Sequence, residues 1–142
     1  MIEDFEFKKN LESVQPIQIL LAESDPTEIS RFRARINQEF QEGVQFAKNY
    51  DELLERITEQ QPQLVFLGRI DKTNYRDLSK GCRTIQPDLS IVLLSEQKTI
   101  SESFRELLKT CGLTDVVSQD PETLNQLLQT FSDREQHLIE PI

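Results

Sequence analysis

The sequence has few of the residues around which many catalytic and metal sites are built. Its 142 residues include no tryptophan, four glycines, two cysteines and one histidine. We find no glycine-rich phosphate loop, no Gly-x-Ser-x-Gly elbow and no metal-like spacing of His and Cys. These absences argue against a nucleotide-binding or hydrolytic enzyme, and we expect no cofactor.

Basic residues are also scarce. Lys and Arg number 16 against 25 Asp and Glu, which gives a formal net charge of −9. A surface that binds nucleic acid needs clustered basic side chains. The densest basic cluster, Arg31, Arg33 and Arg35, has Glu28 and Glu39 as helical neighbours. We therefore expect no nucleic-acid partner.

Long hydrophobic runs are absent. No run approaches the roughly 18 apolar residues that a membrane-spanning helix needs. Residues 1–6 lack the basic start and apolar core of a signal peptide. We expect no membrane partner and a cytoplasmic location.

Cys82 and Cys111 do not make a disulfide framework, and we interpret both as buried thiols on helices.

Five short apolar runs are present, and each predicts a β-strand. The first, third and fourth are almost continuously apolar, as in strands buried on both faces of a parallel sheet. The second alternates more, as an edge strand does. The runs cover residues 17–22, 44–47, 64–67, 90–94 and 115–117.

Helical patterns separate these runs. Asp25 and Pro26 are typical of a helix start, and the stripe that follows predicts one helix with Ile29, Phe32, Ile36 and Phe40 on its apolar face. Later helices are predicted near residues 51–57, 74–85, 99–111 and 120–131. We expect Asp71 or Thr73 to cap the third helix, and Thr99 with Glu102 to form a capping box on the fourth.

The element order is therefore a strand and a helix, repeated five times. Right-handed crossovers place helices on both faces of a parallel sheet. This favours an α/β, flavodoxin-like (βα)5 three-layer sandwich with strand order 2-1-3-4-5. A site is expected at the carboxyl ends of the strands.

The domain organisation that we predict has three parts. Residues 16–131 form the domain. Residues 1–15 form an N-terminal extension in which Phe7, Leu11 and Val14 have helical spacing. Residues 132–142 form a C-terminal tail, and Leu138 falls on the face that would continue the last helix.

Three segments carry a resemblance to a known family. They are Ile19–Pro26, which pairs a strand with an acidic turn, Pro62–Leu67 and Ser90–Ser95. Through these segments, residues 16–131 resemble the receiver domain of bacterial response regulators. The resemblance implies the sandwich fold described above and a role in two-component signalling or a phosphorelay.

The family's phosphorylation chemistry uses groups at four strand ends. Two acids after strand one hold Mg²⁺, an aspartate ending strand three takes the phosphoryl group, and a hydroxyl and a lysine end strands four and five. The corresponding positions here are Glu23, Ser24, Gly68, Ser95 and Gln119.

The sequence departs from the family at most of these positions. Gly68 has no side chain to phosphorylate, and Ser24 and Gln119 replace the second acid and the lysine. With the Mg²⁺ ligands depleted, we expect no tight metal binding. We interpret Glu23 as a solvated loop residue and Ser95 as a partner of nearby backbone.

These departures predict a degenerate pseudo-receiver without catalytic activity, acting as a phosphorylation-independent protein-interaction module. Its expected partner is another signalling protein, or a second copy in a homodimer. In related domains the face of helix four, strand five and helix five often carries such contacts. The candidates on that face here are Arg105, Lys109, Glu122, Gln126 and Gln129.

Two alternatives stay open from the residues. One is a phosphorylatable receiver whose acceptor is displaced to Asp71, three positions past Gly68. The other is a flavodoxin-like enzyme or nucleotide binder.

Overall fold

The computed structural model describes residues 17–70, 74–97 and 99–139, with side chains described to residue 134. The expectations for the N-terminal extension, with Phe7, Leu11 and Val14, lie outside the described residues, as do Asp71, Thr73 and the side chain of Leu138.

The centre of the fold is a five-stranded sheet in the order β2-β1-β3-β4-β5. Every strand pair is parallel, and the register aligns Ala22 with Leu67 and Leu67 with Leu93. The predicted topology is confirmed, including β2 as an edge strand. The strands are β1 (Ile19–Ala22), β2 (Val44–Ala47), β3 (Leu64–Leu67), β4 (Ser90–Ser95) and β5 (Asp115–Ser118).

Helices cover both faces of the sheet. They are α1 (Pro26–Arg35), α2 (Gln38–Gln41), α3 (Tyr50–Gln60), α4 (Tyr75–Ile85), α5 (Glu102–Thr110) and α6 (Pro121–Ile139). Alternate strand residues serve opposite cores, because side chains alternate along a strand. Val65 packs with residues of α3, α4 and α5, whereas Phe66 packs with residues of α1, α2 and α6.

The predicted first helix is broken in two. Ile36 has an extended backbone, with φ −91° and ψ 149°, and Asn37 is also extended. The predicted stripe still reaches the core, since Phe32, Ile36 and Phe40 are buried. The Asn125 side chain bridges the break by accepting from Asn37 N at 2.7 Å and donating to Arg35 O at 3.0 Å.

Two helices have N-caps other than the predicted residues. Helix α5 is capped by Ser101, which accepts from Phe104 N, rather than by Thr99. Helix α4 is capped by Asn74, which accepts from Asp77 N. In each case the side-chain oxygen accepts a hydrogen bond from the N–H three residues later. The polar residue directly before the first turn is therefore the N-cap.

Two burial predictions also fail. Leu94 belongs to the fourth apolar run, for which the sequence predicts burial, but it is half-buried because it lies where β4 ends and an open cleft begins. Cys82 is buried as expected, but Cys111 is half-buried because it follows the last turn of α5 as its C-cap. Among the described residues, no helix is long and apolar enough to cross a membrane.

Candidate functional site at the carboxyl edge of the sheet

The carboxyl ends of the strands meet at one edge and surround an open cleft of about 540 Å³. This carboxyl-edge cleft is lined by residues at the end of β4, by residues that follow β1, β3, β4 and β5, and by the starts of α1, α4 and α5. Four of the five positions singled out in the sequence line it, namely Glu23, Gly68, Ser95 and Gln119. The structure therefore brings together the positions that the sequence placed at strand ends.

Glu23 is not the solvated residue that the sequence suggested, since it is only 4% exposed. Its carboxylate accepts from Arg69 N through Oε1 at 3.0 Å and from Asp25 N through Oε2 at 3.0 Å. Glu23 therefore fastens the loop after β1 to the loop after β3. A buried carboxylate costs free energy unless it is hydrogen-bonded, and the two backbone donors supply that compensation.

Gly68 is the residue that the resemblance described above aligns with the phosphoryl acceptor of receiver domains, and Glu23 occupies the space beside it. A Cβ atom built on Gly68 would lie 2.5 Å from Glu23 Oε1 and 3.2 Å from Ala22 O. A contact of 2.5 Å is far inside van der Waals distance, so any side chain at position 68 must displace the Glu23 carboxylate. The glycine and the inward-turned glutamate thus form one arrangement.

Ser24 is not among the residues that line the cleft, and it joins the same loop pair. Its Oγ donates to Arg69 O at 3.0 Å, and its backbone N–H donates to the same oxygen at 2.8 Å. The hydroxyl is therefore used in a backbone contact, where the family's second acid would hold a metal.

Ser95 and Gln119 also have local partners. Ser95 Oγ accepts a hydrogen bond from Gln97 N at 3.1 Å, which agrees with its interpretation as a partner of nearby backbone. Gln119 Oε1 accepts a hydrogen bond from the guanidinium of Arg35. The amide at the family's lysine position is therefore held by α1 and brings no positive charge to the cleft.

The mouth of the cleft is spanned by an ion pair that the sequence analysis did not single out. Arg69, from the loop after β3, pairs with Glu96, from the loop after β4. Both side chains are 67% exposed, so the pair contributes little to stability. The sequence offered one sign of this pair. Both residues directly follow a predicted strand, and the carboxyl ends of the strands are where a site is expected.

The described residues around the cleft can be compared with the ligands that a metal ion needs. Among the residues that the structure describes, no group of three or more His, Cys, Asp or Glu is placed to hold a metal ion. Mg²⁺ needs oxygen ligands in near-octahedral geometry, and the oxygens of Glu23 are already bonded to backbone N–H groups. The residues that the structure describes around the cleft therefore do not fit Mg²⁺.

The proposed contact face on α5, β5 and α6 is only partly free. Arg105 is half-buried and pairs with Asp115 at 2.6 Å, so it supports the fold. Lys109, Glu122, Gln126 and Gln129 are exposed. The sequence analysis missed Leu107 on this face, which is 59% exposed.

Comparison with solved structures supports the fold. The signal receiver domain of a protein described as the Luxo repressor of Vibrio parahaemolyticus superposes with a TM-score of 0.70 at 14% identity, covering 90% of this chain and 100% of that one. The REC domain of the response regulator AraT from Geobacillus stearothermophilus gives 0.67 at 14% identity, covering 89% and 100%.

A CheY-like receiver domain protein from Methanospirillum hungatei is similar in the same way, with a TM-score of 0.65, 14% identity and coverage of 87% of this chain and 99% of that one. No protein-family model and no curated protein matches the sequence significantly. The chain has the fold of response-regulator receiver domains, and at this identity the likeness concerns the fold alone.

Proposed function

We propose that this chain is a non-catalytic pseudo-receiver that works as a phosphorylation-independent protein-interaction module in two-component-type signalling. The observation that carries the proposal is the pairing of Gly68 with Glu23. Position 68 has no acceptor carboxylate, and the space beside it is filled by a carboxylate that two backbone N–H groups hold in place.

The residues that replace the second acid and the lysine have hydrogen-bond partners of their own. Ser24 bonds the backbone of Arg69, and Gln119 is held by Arg35. Phosphoryl transfer depends on precise positioning of acceptor, metal and neutralising charge. None of these groups is in place among the described residues, which supports a domain that signals through contacts.

The test is incubation of the full chain with Mg²⁺ and acetyl phosphate, followed by intact-mass measurement. We expect no phosphoryl mass increment. The matched comparison is Asp71→Asn, which removes the displaced acceptor that the sequence left open. A stoichiometric increment on the original chain that disappears in Asp71→Asn would overturn the proposal.

The partner is expected on the face of α5, β5 and α6, either another signalling protein or a second copy of this chain. Leu107 supports this face because it is a large apolar side chain left exposed in the folded domain. Light scattering over a range of concentrations, on the full chain and on Leu107→Asp, tests the homodimer. A dimer that Leu107→Asp leaves intact would place the contact elsewhere.

A further inference from the structure

Helix α5 lies on the domain with little apolar packing. Of its residues Glu102–Thr110, all of which the structure describes, only Leu108 is buried. Phe104 is 38% exposed and Leu107 is 59% exposed. Helices in proteins are stabilised mainly by the packing of an apolar face. Polar contacts therefore have a larger share in holding α5 than they have in holding a deeply buried helix.

The carboxyl end of α5 closes in a turn that favours glycine. Gly112 has a φ of 95°, which lies in the left-handed region. Leu113 N donates to Leu108 O at 3.1 Å, and Gly112 N donates to Lys109 O at 3.0 Å. These two bonds form a Schellman motif, and they leave the carbonyl oxygen of Gly112 free to accept bonds from another element.

Helix α4 supplies two donors to that one oxygen. Gly112 O accepts from Ser79 Oγ at 2.9 Å and from Arg83 Nε at 3.0 Å. Ser79 and Arg83 are four positions apart, so they lie on one face of α4. Ser79 is buried, and a Cβ atom on Gly112 would lie 2.4 Å from its Oγ. The two helices therefore meet too closely here for a side chain at position 112.

The guanidinium of Arg83 extends this junction to two strands. Its Nη1 donates to Leu89 O at 3.1 Å, just before β4, and its Nη2 donates to Thr114 Oγ1 at 3.3 Å, just before β5. The planar guanidinium has donors fixed in a fork, which suits several acceptors at once. Arg83 thus ties α4 to chain segments that lie before and after α5.

A second polar contact joins α5 to β5. It is the ion pair of Arg105 with Asp115, whose side chains are 30% and 37% exposed. Water screens a pair this exposed, so its contribution is small. The junction of α4 with Gly112 is therefore the stronger polar attachment of α5.

From these contacts we infer that Ser79, Arg83 and Gly112 form a latch that sets how often α5 detaches from the domain. The helix opens as a unit while the sheet stays folded, because regions with few buried apolar contacts open below the free energy of global unfolding. The use of this opening in signalling rests on the proposed function, since α5 carries Leu107 and Lys109 of the expected contact face. A partner bound to the docked helix would keep the latch closed.

The test is hydrogen exchange of the ¹⁵N-labelled full chain at increasing urea concentration. The amides to follow are those of residues 106–110 in α5 and those of residues 19–22 and 64–67 in β1 and β3. In the original chain we expect the α5 amides to exchange faster than the sheet amides. Their exchange should also depend less on urea, because a local opening exposes less surface than global unfolding does.

Matched variants separate the latch from general stability. Arg83→Met should speed the exchange of the α5 amides about tenfold and Ser79→Ala about threefold, because each removes a donor to Gly112 O. Arg76→Met changes an exposed arginine of the same helix and should have no effect. Leu21→Ala makes a cavity in the core on the other face of the sheet from Leu108, and it should speed the exchange of the sheet amides alone.

Three results would overturn the inference. They are equal exchange of α5 and the sheet in the original chain, an equal rise in both with Leu21→Ala, or no difference between Arg83→Met and Arg76→Met. If Arg83→Met does not fold, Ser79→Ala and the urea dependence of the original chain decide in the same way.

The outcome is distinct from that of the proposed function, because the exchange measurement contains no phosphoryl donor. A chain that stays unphosphorylated by acetyl phosphate, but whose α5 opens only with the whole domain, refutes the latch alone. Stoichiometric phosphorylation refutes the proposed function itself.

Discussion

The carboxylate oxygen Oε1 of Glu23 lies 2.5 Å from the position that a Cβ atom on Gly68 would take. The two residues are 45 positions apart in sequence and are brought together by the pairing of β1 with β3, in which Ala22 aligns with Leu67. Because of this contact, positions 68 and 23 cannot be changed independently.

A double-mutant cycle tests that dependence. We expect Gly68→Ala to lower the free energy of unfolding by about 1–3 kcal/mol, because it pushes the Glu23 carboxylate off the N–H groups of Asp25 and Arg69 and breaks two hydrogen bonds to a charged group. In a Glu23→Ala background the same change should cost less, since no carboxylate remains to displace. Urea unfolding measures both values, and additive losses would show that the two residues do not compete for the space.

Gly68→Asp should not create a phosphorylation site. The new side chain meets Glu23 Oε1 and adds a second carboxylate beside it, so we expect a larger stability loss than for Gly68→Ala. Intact-mass measurement with Mg²⁺ and acetyl phosphate should show no phosphoryl increment. Efficient phosphorylation of Gly68→Asp would mean that the loop positions still suit the chemistry.

Leu67→Ala should be strongly destabilising. Leu67 is fully buried at the end of β3, and a large-to-small core change of this kind costs about 2–5 kcal/mol. Leu107→Ala is the matched control, because Leu107 is largely exposed and its loss should change stability by less than about 0.5 kcal/mol. Thermal and urea melts of the two variants should differ accordingly.

Asn125 should contribute more to the stability of the fold than its place on a surface helix suggests. Its amide bonds both sides of the α1 break and also donates to Pro121 O at 2.7 Å. We expect Asn125→Ala to cost about 1–2 kcal/mol. Gln126→Ala, one position along the same helix, should cost little, and equal losses would remove the bridging role.

The two thiols should differ in reactivity. Burial raises the pKa of Cys82 to about 12, and the thiolate is the reactive form. Below denaturing pH we expect a soluble thiol reagent to label Cys111 readily and Cys82 slowly, with peptide mapping as the measurement. Fast labelling of Cys82 in the folded chain would contradict its burial.

The same shift predicts how stability changes with pH. The ordinary pKa of the thiol is 9.0 and the folded value is about 12. Between these values the unfolded chain loses the Cys82 proton while the folded chain keeps it, so the free energy of unfolding should fall as pH rises. Urea titrations at pH 8 and near pH 10 measure the change, and Cys82→Ala should show a weaker decline.

The fold could be predicted from the sequence because the apolar pattern of each segment and the order of the segments indicate the same architecture. The continuous apolar runs at β1, β3 and β4 demanded burial on both faces, and parallel crossovers then leave few topologies. The positions at the strand ends followed as well, since the carboxyl ends of parallel strands meet at one edge. Gly68 and Gln119 could therefore be assigned to one site before any coordinates were known.

Tertiary structure decided what those positions do. Sequence spacing cannot show that Glu23 turns inward to two backbone N–H groups, because those donors come from loops whose paths depend on the whole sheet. The break after Arg35 was also invisible to periodicity, since Ile36 and Phe40 stay on the buried face in either form. The amide of Asn125, distant in sequence, supplies the bonds that make the break stable. Composition and pattern determine which side chains must be buried, whereas hydrogen-bond partners across the sheet edge exist only once the strands are paired.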